Sequence, residues 1–383
     1  MKSERYIRFT PFVSFRGIPE PHLFNIVSDE LYALDEDGRR FVKEVEDGTP
    51  EEDITDREIL EFALSEGLVE RSSSPASAPL QKGQSPVPSL RYLELLLTMR
   101  CNLRCRHCYQ GGPEESDMDP ETLDLVLSEF DDIQGLRLLI SGGEPLMYPH
   151  LDRLCELLQN RGYRSVLLTN GVALSRSLLA DAPFHEVQVS LDGLDKGHDW
   201  LRGAGTFQKA VASARQAVDA GLDLSVASMV HPENLEEMDG LEDLVRELGA
   251  LEWSIEVPTE AGRWQDRPEL LEKAPSHLAR GFGGSYHGSA EGFACGHHLA
   301  AITPEGRLLK CGFYEDRPLG HVSEGLREVW SRKPVLKVAD IRVCRDCEYA
   351  GECGGGCRFR AGEGPDPVMC AAYGFPQGRS FPA

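Results

Sequence analysis

The chain has 383 residues, enough for two or three domains and a large core. A formal charge of −23 argues against a nucleic-acid or anionic-membrane surface, because phosphate binding wants a basic face. No apolar run approaches about 18 residues, Met1-Lys-Ser-Glu-Arg lacks the apolar core of a signal peptide, and eleven cysteines without an export signal point to metal ligation rather than disulfides. A cytoplasmic chain is expected. Its acidity suits a positively charged substrate segment, or solubility alone.

Residues 1–70 read as a small separate unit. Two β-like pieces, Ile7 to Phe15 and Leu23 to Ile26, precede the stretch Glu30 to Gly38. A helical pattern follows at Arg40 to Val45. A second runs from Asp56 to Glu66, where Ile59, Leu60, Phe62, Ala63 and Leu64 form an apolar stripe near period 3.6. Gly67-Leu-Val-Glu70 closes the unit as a short strand. This order predicts a winged-helix-like module. Through Tyr32-Ala-Leu-Asp35, Gly38 and Glu66-Gly-Leu-Val69 it resembles the peptide-recognition elements of ribosomal-peptide maturation systems, including the small peptide chaperone of pyrroloquinoline quinone biosynthesis. A structural appendage is the alternative. Residues 71–89, rich in Ser, Pro and Gly, read as a flexible linker with few buried positions.

From Leu90 to about residue 275, apolar strands alternate with helical stretches, the pattern of βαβ units and a parallel sheet. Strands are expected at Tyr92–Thr98, Leu136–Ser141, Ser165–Thr169, Glu186–Leu191, Leu222–Val230 and Leu251–Val257. Helices such as Pro120–Asp131, Leu151–Gln159, Phe207–Ala220 and Leu235–Leu248 lie between them. Six units predict an α/β fold, a partial (β/α)6 TIM-like barrel, with ligands at the carboxyl ends of its strands.

The first strand runs into Cys101-Asn-Leu-Arg-Cys105-Arg-His-Cys108. Cysteine thiolates are the usual ligands of iron–sulfur clusters, and a cubane needs four. Three are present, leaving one iron for another ligand. Zinc is the competing reading, although zinc sites usually pair C-x₂-C with a second pair. The C-x₃-C-x₂-C spacing, with His107 before the last cysteine, resembles the signature of the radical S-adenosylmethionine (SAM) superfamily. That resemblance implies a [4Fe–4S] cluster whose fourth iron is chelated by SAM.

Later motifs extend the resemblance. Ser141-Gly-Gly-Glu-Pro145 is similar to the family's GGEP motif, which implies that Gly142, Gly143 and Glu144 contact the SAM amino group. The two glycines would let the backbone approach a ligand closely and offer unhindered N–H and C=O groups. Leu168-Thr-Asn-Gly171 is a recurrent family turn, given no catalytic role. Val189-Ser-Leu-Asp-Gly193 and the downstream Arg202 imply that Ser190 meets the ribose or carboxylate and that Arg202 pairs with the carboxylate, an anion suited to a guanidinium fork. Asp192 has either a part there or a loop-capping role. Glu256 to Pro258 and Gly262-Arg263 match a common ending near the adenine. Cys155 sits in the apolar stripe of Leu151 to Leu158 and reads as core.

The C-terminal part, residues 276–383, holds Cys295, Cys311, Cys344, Cys347, Cys353, Cys357 and Cys370. Their spacing resembles the seven-cysteine SPASM domain that follows some radical SAM barrels. The resemblance implies two auxiliary [4Fe–4S] clusters, one on Cys344, Cys347, Cys353 and Cys370, the other on Cys295, Cys311 and Cys357. No cysteine in Gly296-His-His-Leu-Ala-Ala301 completes the latter, though His297 and His298 are possible ligands. A pair of zinc sites is the competing reading.

The resemblance implies an enzyme that cleaves SAM reductively to a 5′-deoxyadenosyl radical, which takes hydrogen from an unactivated position. The expected substrate is a ribosomally made peptide with a leader, joined by a thioether or other cross-link, and the expected reductant is flavodoxin- or ferredoxin-type. Modification of a haem precursor, maturation of a sulfatase, and a non-catalytic metal scaffold are the alternatives.

Overall fold

The computed structural model describes residues 5–75, 79–112, 114–181, 183–257, 259–264, 278, 280–283 and 290–373. Pro258 and the expected boundary near residue 275 lie outside them.

The N-terminal unit begins with β1 (Tyr6–Phe9) and β2 (Val13–Gly17). The sequence suggests one strand here, but Thr10, Pro11 and Phe12 turn the chain, and Pro11 has no N–H to continue a ladder. β2, β3 (Pro21–Asn25) and β4 (Glu30–Ala33) form an antiparallel meander in that order. The helices α1 (Glu36–Glu46) and α2 (Arg57–Ser65) start where Asp35 and Asp56 accept hydrogen bonds from first-turn N–H groups. β5 (Val69–Ser72) returns antiparallel to β1. Ile7, Phe41, Val42, Val45 and Leu60 fill the core between these layers.

The linker is not free along its length. Ser85 and Ser89 are buried, the Ser85 N–H donates to the Gly17 carbonyl at 2.7 Å, and Lys82 pairs with Glu46 at 2.7 Å. Among the described residues of 71–89 only Ser85, Pro86 and Ser89 are buried, so few positions are buried, but these contacts hold residues 79–89 as a strap between the unit and the barrel.

The six expected barrel strands are present as β6 (Tyr92–Leu96), β7 (Arg137–Ser141), β8 (Arg164–Thr169), β9 (Glu186–Ser190), β10 (Asp223–Met229) and β11 (Glu252–Glu256). All pair in parallel with their chain neighbours. The crossovers carry α3 (Pro120–Asp132), α4 (Leu151–Leu158), α5 (Arg176–Asp181), α6 (Asp195–Arg202), α7 (Thr206–Asp219) and α8 (Met238–Glu247). Leu93, Leu95, Leu138, Ile140, Val187, Val189, Leu224 and Val226 face these helices in the main core. Alternate residues therefore face the lumen, among them Tyr92, Leu139, Val166 and Leu168, which pack in a second cluster.

The sheet does not end at β6. β12 (Leu299–Ile302) pairs parallel with it, and β13 (Arg307–Leu309) and β14 (Gly320–His321) follow antiparallel. This extension carries Cys311 into the lumen cluster. α9 (Leu326–Ser331) then packs Val329 and Trp330 into the main core.

The N-terminal unit sits at the amino ends of the strands. Arg164, the first residue of β8, donates to the Ile26 and Val27 carbonyls at 3.0 and 2.8 Å, and pairs with Glu186 at 3.2 Å and with Asp223. Arg137 opens β7 and pairs with Asp29, while Arg16 pairs with Asp131 at 3.0 Å. Removing one partner of a buried ion pair costs about 3–5 kcal/mol. Arg164→Ala should therefore lower unfolding stability by about 3 kcal/mol and expose the unit to limited proteolysis. An unchanged denaturation midpoint would show that Arg164 does not anchor it.

Candidate functional site

The cysteine triad occupies a loop that leaves β6 and is gripped on several sides. Residues 98–100 run beside the glycine turn after β7, where the Gly143 N–H donates to the Thr98 carbonyl at 2.7 Å and the Glu144 N–H to the Arg100 carbonyl at 2.8 Å. The expectation of unhindered N–H groups from the two glycines is corrected at Gly143, since the cysteine loop already takes its N–H. Gly142 has φ +139°, and a Cβ there would run into the Thr98 carbonyl. The turn is glycine because the two loops pass backbone to backbone.

Glu144 is buried, and its carboxylate accepts from the Thr169 hydroxyl at 2.7 Å, the Asn170 N–H at 2.9 Å and the Leu146 N–H at 3.3 Å. Burial pushes its acid up, and these donors oppose the shift. Asn170 also donates to Asn102 in the triad loop at 2.8 Å. The Thr169-Asn170 pair, given no catalytic role above, thus ties the Glu144 turn to the cysteines. Arg106 fastens the next stretch through its N–H to the Leu201 carbonyl, its Nε to the Trp200 carbonyl and its guanidinium over the Trp200 ring at 4.6 Å. At the far end, the Arg263 N–H donates to the Cys108 carbonyl at 3.0 Å, so Gly262-Arg263 abuts the triad loop.

Electrostatics mark the same spot. Burial pushes the Cys101 thiol up to about 11, with Glu144, Cys105 and Cys108 adding to it. Burial also raises Cys105, but the Arg202 guanidinium opposes it. Arg202 pairs through Nε with Asp192. Burial alone would raise Asp192, yet Arg202 and the neighbouring imidazoles hold it well below the carboxylate range. Asp192 also accepts from the Met229 N–H at 2.7 Å, and its carbonyl accepts from Asn234 at 2.6 Å. It fixes Arg202 beside the thiols. Ser190 ends β9 on the lumen side, half-buried.

Three imidazole nitrogens here, His107 Nδ1, His198 Nε2 and His231 Nδ1, are buried without a hydrogen-bond partner among the described residues. Burial, with Arg202 adding to it, pushes His107 down to about 3. Unpartnered buried polar atoms call for an occupant. Three thiols beside one fixed cation and these nitrogens fit a cluster with an open corner and a polar, charged ligand on it.

The other cysteines fall into two groups, and Cys155 stands apart, packed against the main core on α4. Burial, with Glu94, Cys295 and Cys357 adding to it, pushes Cys311 up to about 12. Cys295 Sγ accepts from the Arg358 N–H at 3.3 Å. Cys370 is pushed up to about 11 by burial, then by Cys353, Cys344 and Cys347. The His298 ring engages Ser89, and His297 stacks on Phe293 at 3.9 Å. Among the described residues no three Cys, His, Asp or Glu side chains stand close enough to share one metal ion. Cluster iron does not require it, because each thiolate of a cubane binds its own corner.

Asp366 joins the two groups and was missed in the sequence. It accepts from the Cys357 N–H at 2.7 Å, pairs with Arg360 at 2.7 Å and caps the helix Pro367–Ala372 that bears Cys370. Asp-Pro at a helix start was the available signal.

Residues 95–245 match the radical SAM superfamily. The matched stretch is a radical SAM domain that starts within β6 and takes in the triad where that strand ends. Among curated proteins the chain is similar to the PqqA peptide cyclase of Methylorubrum extorquens, at 27% identity over 75% of this chain and 84% of that protein. It is also similar to the mycofactocin maturase MftC of Mycobacterium ulcerans, at 28% identity over 73% of this chain and 88% of that protein. Among solved structures, Streptococcus suis SuiB bound to precursor peptide SuiA superposes with a TM-score of 0.66 at 18% identity, covering 94% of this chain and 98% of that one. That likeness extends the shared fold beyond the barrel.

Gly142→Ala should cut dithionite-driven 5′-deoxyadenosine formation at least about tenfold, because the added methyl and the strained φ push the turn off the cysteine loop at a cost of about 1–3 kcal/mol. A variant that cleaves SAM at the wild-type rate would show that the two loops need not pass so closely.

Proposed function

We propose that this protein is a peptide maturase that uses three [4Fe–4S] clusters and SAM to cross-link a ribosomally made peptide. Cys101, Cys105 and Cys108 hold the cluster that binds SAM. Gly142, Gly143, Glu144, Ser190 and Arg202 line the SAM side, with Arg202 kept in place by Asp192. Cys344, Cys347, Cys353 and Cys370 hold one auxiliary cluster of a SPASM-type domain, and Cys295, Cys311 and Cys357 hold the other. When bound, SAM and its cluster supply the radical that removes hydrogen from the peptide. The chain's own work is to exclude water and hold the peptide so that the joining groups meet.

The observation that carries this reading is the division of the seven C-terminal cysteines into a three and a four, the three reaching the barrel lumen through Cys311. The peptide substrate is supported by the named activities of the curated relatives. A flavodoxin- or ferredoxin-type protein in the cytoplasm delivers the electron. Among the described residues no helix is long and apolar enough to cross a membrane. The test is anaerobic turnover with a peptide encoded beside this gene, read by mass spectrometry. A cross-linked product that needs SAM is expected. Three cubanes require about 12 iron per chain, and about 4 iron with zinc would overturn the auxiliary assignment. Cys101→Ala, Cys105→Ala and Cys108→Ala should each abolish 5′-deoxyadenosine formation, and normal cleavage in any one removes the triad from the mechanism.

The leader is held by the N-terminal unit as an added strand on β4, which pairs only with β3 among the described residues. Removing residues 1–75, with the strap kept, should reduce peptide turnover about tenfold or more while SAM cleavage without peptide persists. Full turnover by the shortened chain would exclude leader capture by this unit.

A further inference from the structure

Lys333 follows α9 and is 7 % exposed. Its Nζ donates to the Gly296 carbonyl and, at 3.0 Å, to the His297 carbonyl, the two peptide units directly after Cys295. It also lies 4.1 Å from the centre of the Trp330 ring. Trp330 is itself fully buried and donates through Nε1 to the Pro88 carbonyl at 2.7 Å, so this platform is rigid.

Tethering the loop does not require a charge. The Ala294 N–H already donates to the Leu336 carbonyl and the Val338 N–H to the Gly292 carbonyl, both at 3.0 Å. A neutral amide could serve one of the remaining carbonyls at far lower desolvation cost than an ammonium. Buried charges are normally paired, yet among the described residues no carboxylate forms an ion pair with Lys333. Burial and Lys310 push its ammonium down to about 7, and Cys295 is the group that pulls the other way. A thiolate-bound cluster is anionic and would supply the missing counter-charge.

We propose that Lys333 is a positioning residue that clamps the Cys295 loop by its carbonyls and, through its charge, stabilises the reduced form of the auxiliary cluster on Cys295, Cys311 and Cys357. This rests on the proposed auxiliary clusters. Reduction adds negative charge to that cluster, and a fixed cation in a medium of low dielectric favours the more negative state. The cation–π and carbonyl contacts hold the ammonium at the loop instead of letting it reach solvent.

The test is a potentiometric titration of the reconstituted full-length enzyme followed by electron paramagnetic resonance, comparing wild type, Lys333→Met and Lys333→Arg. In Lys333→Met the cluster on Cys295, Cys311 and Cys357 should become at least tenfold harder to reduce, a shift of about 59 mV for one electron. The clusters on the triad and on Cys344, Cys347, Cys353 and Cys370 should not move. Lys333→Arg, which keeps the charge, should stay within about threefold of wild type. An unmoved potential in Lys333→Met overturns the proposal, as does an equal shift in all three clusters. If Lys333→Met loses this cluster altogether, retention at the wild-type potential in Lys333→Arg supports the proposal, and loss in both overturns it. A wild-type enzyme with about 4 iron and no auxiliary signal would instead remove the reading on which the proposal stands.

Discussion

The close passage of the cysteine loop along the glycine turn is the constraint on which the site depends. Two backbone hydrogen bonds, from Gly143 and Glu144 to Thr98 and Arg100, lock the end of β6 to the end of β7. Neighbouring strands already lie about 4.8 Å apart, and beyond their ends the chains stay together only where side chains do not intervene. Glu144 carries the lock onward to Thr169 and Asn170 at the end of β8, and Asn170 brings it back to Asn102. Three successive strand ends are thereby fixed around one loop. A cluster bound there would inherit its position from the sheet, not from a flexible loop.

The barrel was legible because its strands are buried on both faces and so read as continuous apolar runs. Helix starts were legible where Asp119-Pro120 or Asp56 capped them. β12 was not, since its parallel pairing to β6 joins residues some two hundred positions apart and leaves no local periodicity. The cysteine groups were legible as patterns, whereas the residues that hold them were not. Asp366 advertised itself only as a helix cap, and the ion pair of Asp192 with Arg202 arises when the last residue of α6 returns to the loop after β9. α6 itself is polar, with Gly197 in its first turn and no side-chain cap, so nothing local announces it.

Burial of unpaired thiols has a cost that the fold accepts at several places. Cys101, Cys105, Cys311, Cys353, Cys357 and Cys370 are all raised by burial, so the protein without metal holds neutral thiols in poorly hydrated surroundings. Metal bound at these cysteines as proposed would have to displace those protons, which would couple assembly of the sites to their final packing. The backbone N–H groups of Leu103 and Arg358, aimed at the sulfurs of Cys101 and Cys295, are placed to soften the charge once it forms.

The seat of the N-terminal unit sets a length scale. Arg164 and Arg137 hold it at the amino ends of β8 and β7, while the triad lies beyond the carboxyl ends of the same sheet. A five-residue strand is about 17 Å long. A chain engaged at both places must cross at least that height along the outside of the barrel, a span of roughly five fully extended residues before any turn into the lumen. With a leader held here as proposed, the unit would raise the local concentration of whatever hangs from that tether. The choice of which residue reacts would then fall to the lumen, and the tether's reach would decide which residues are offered to it.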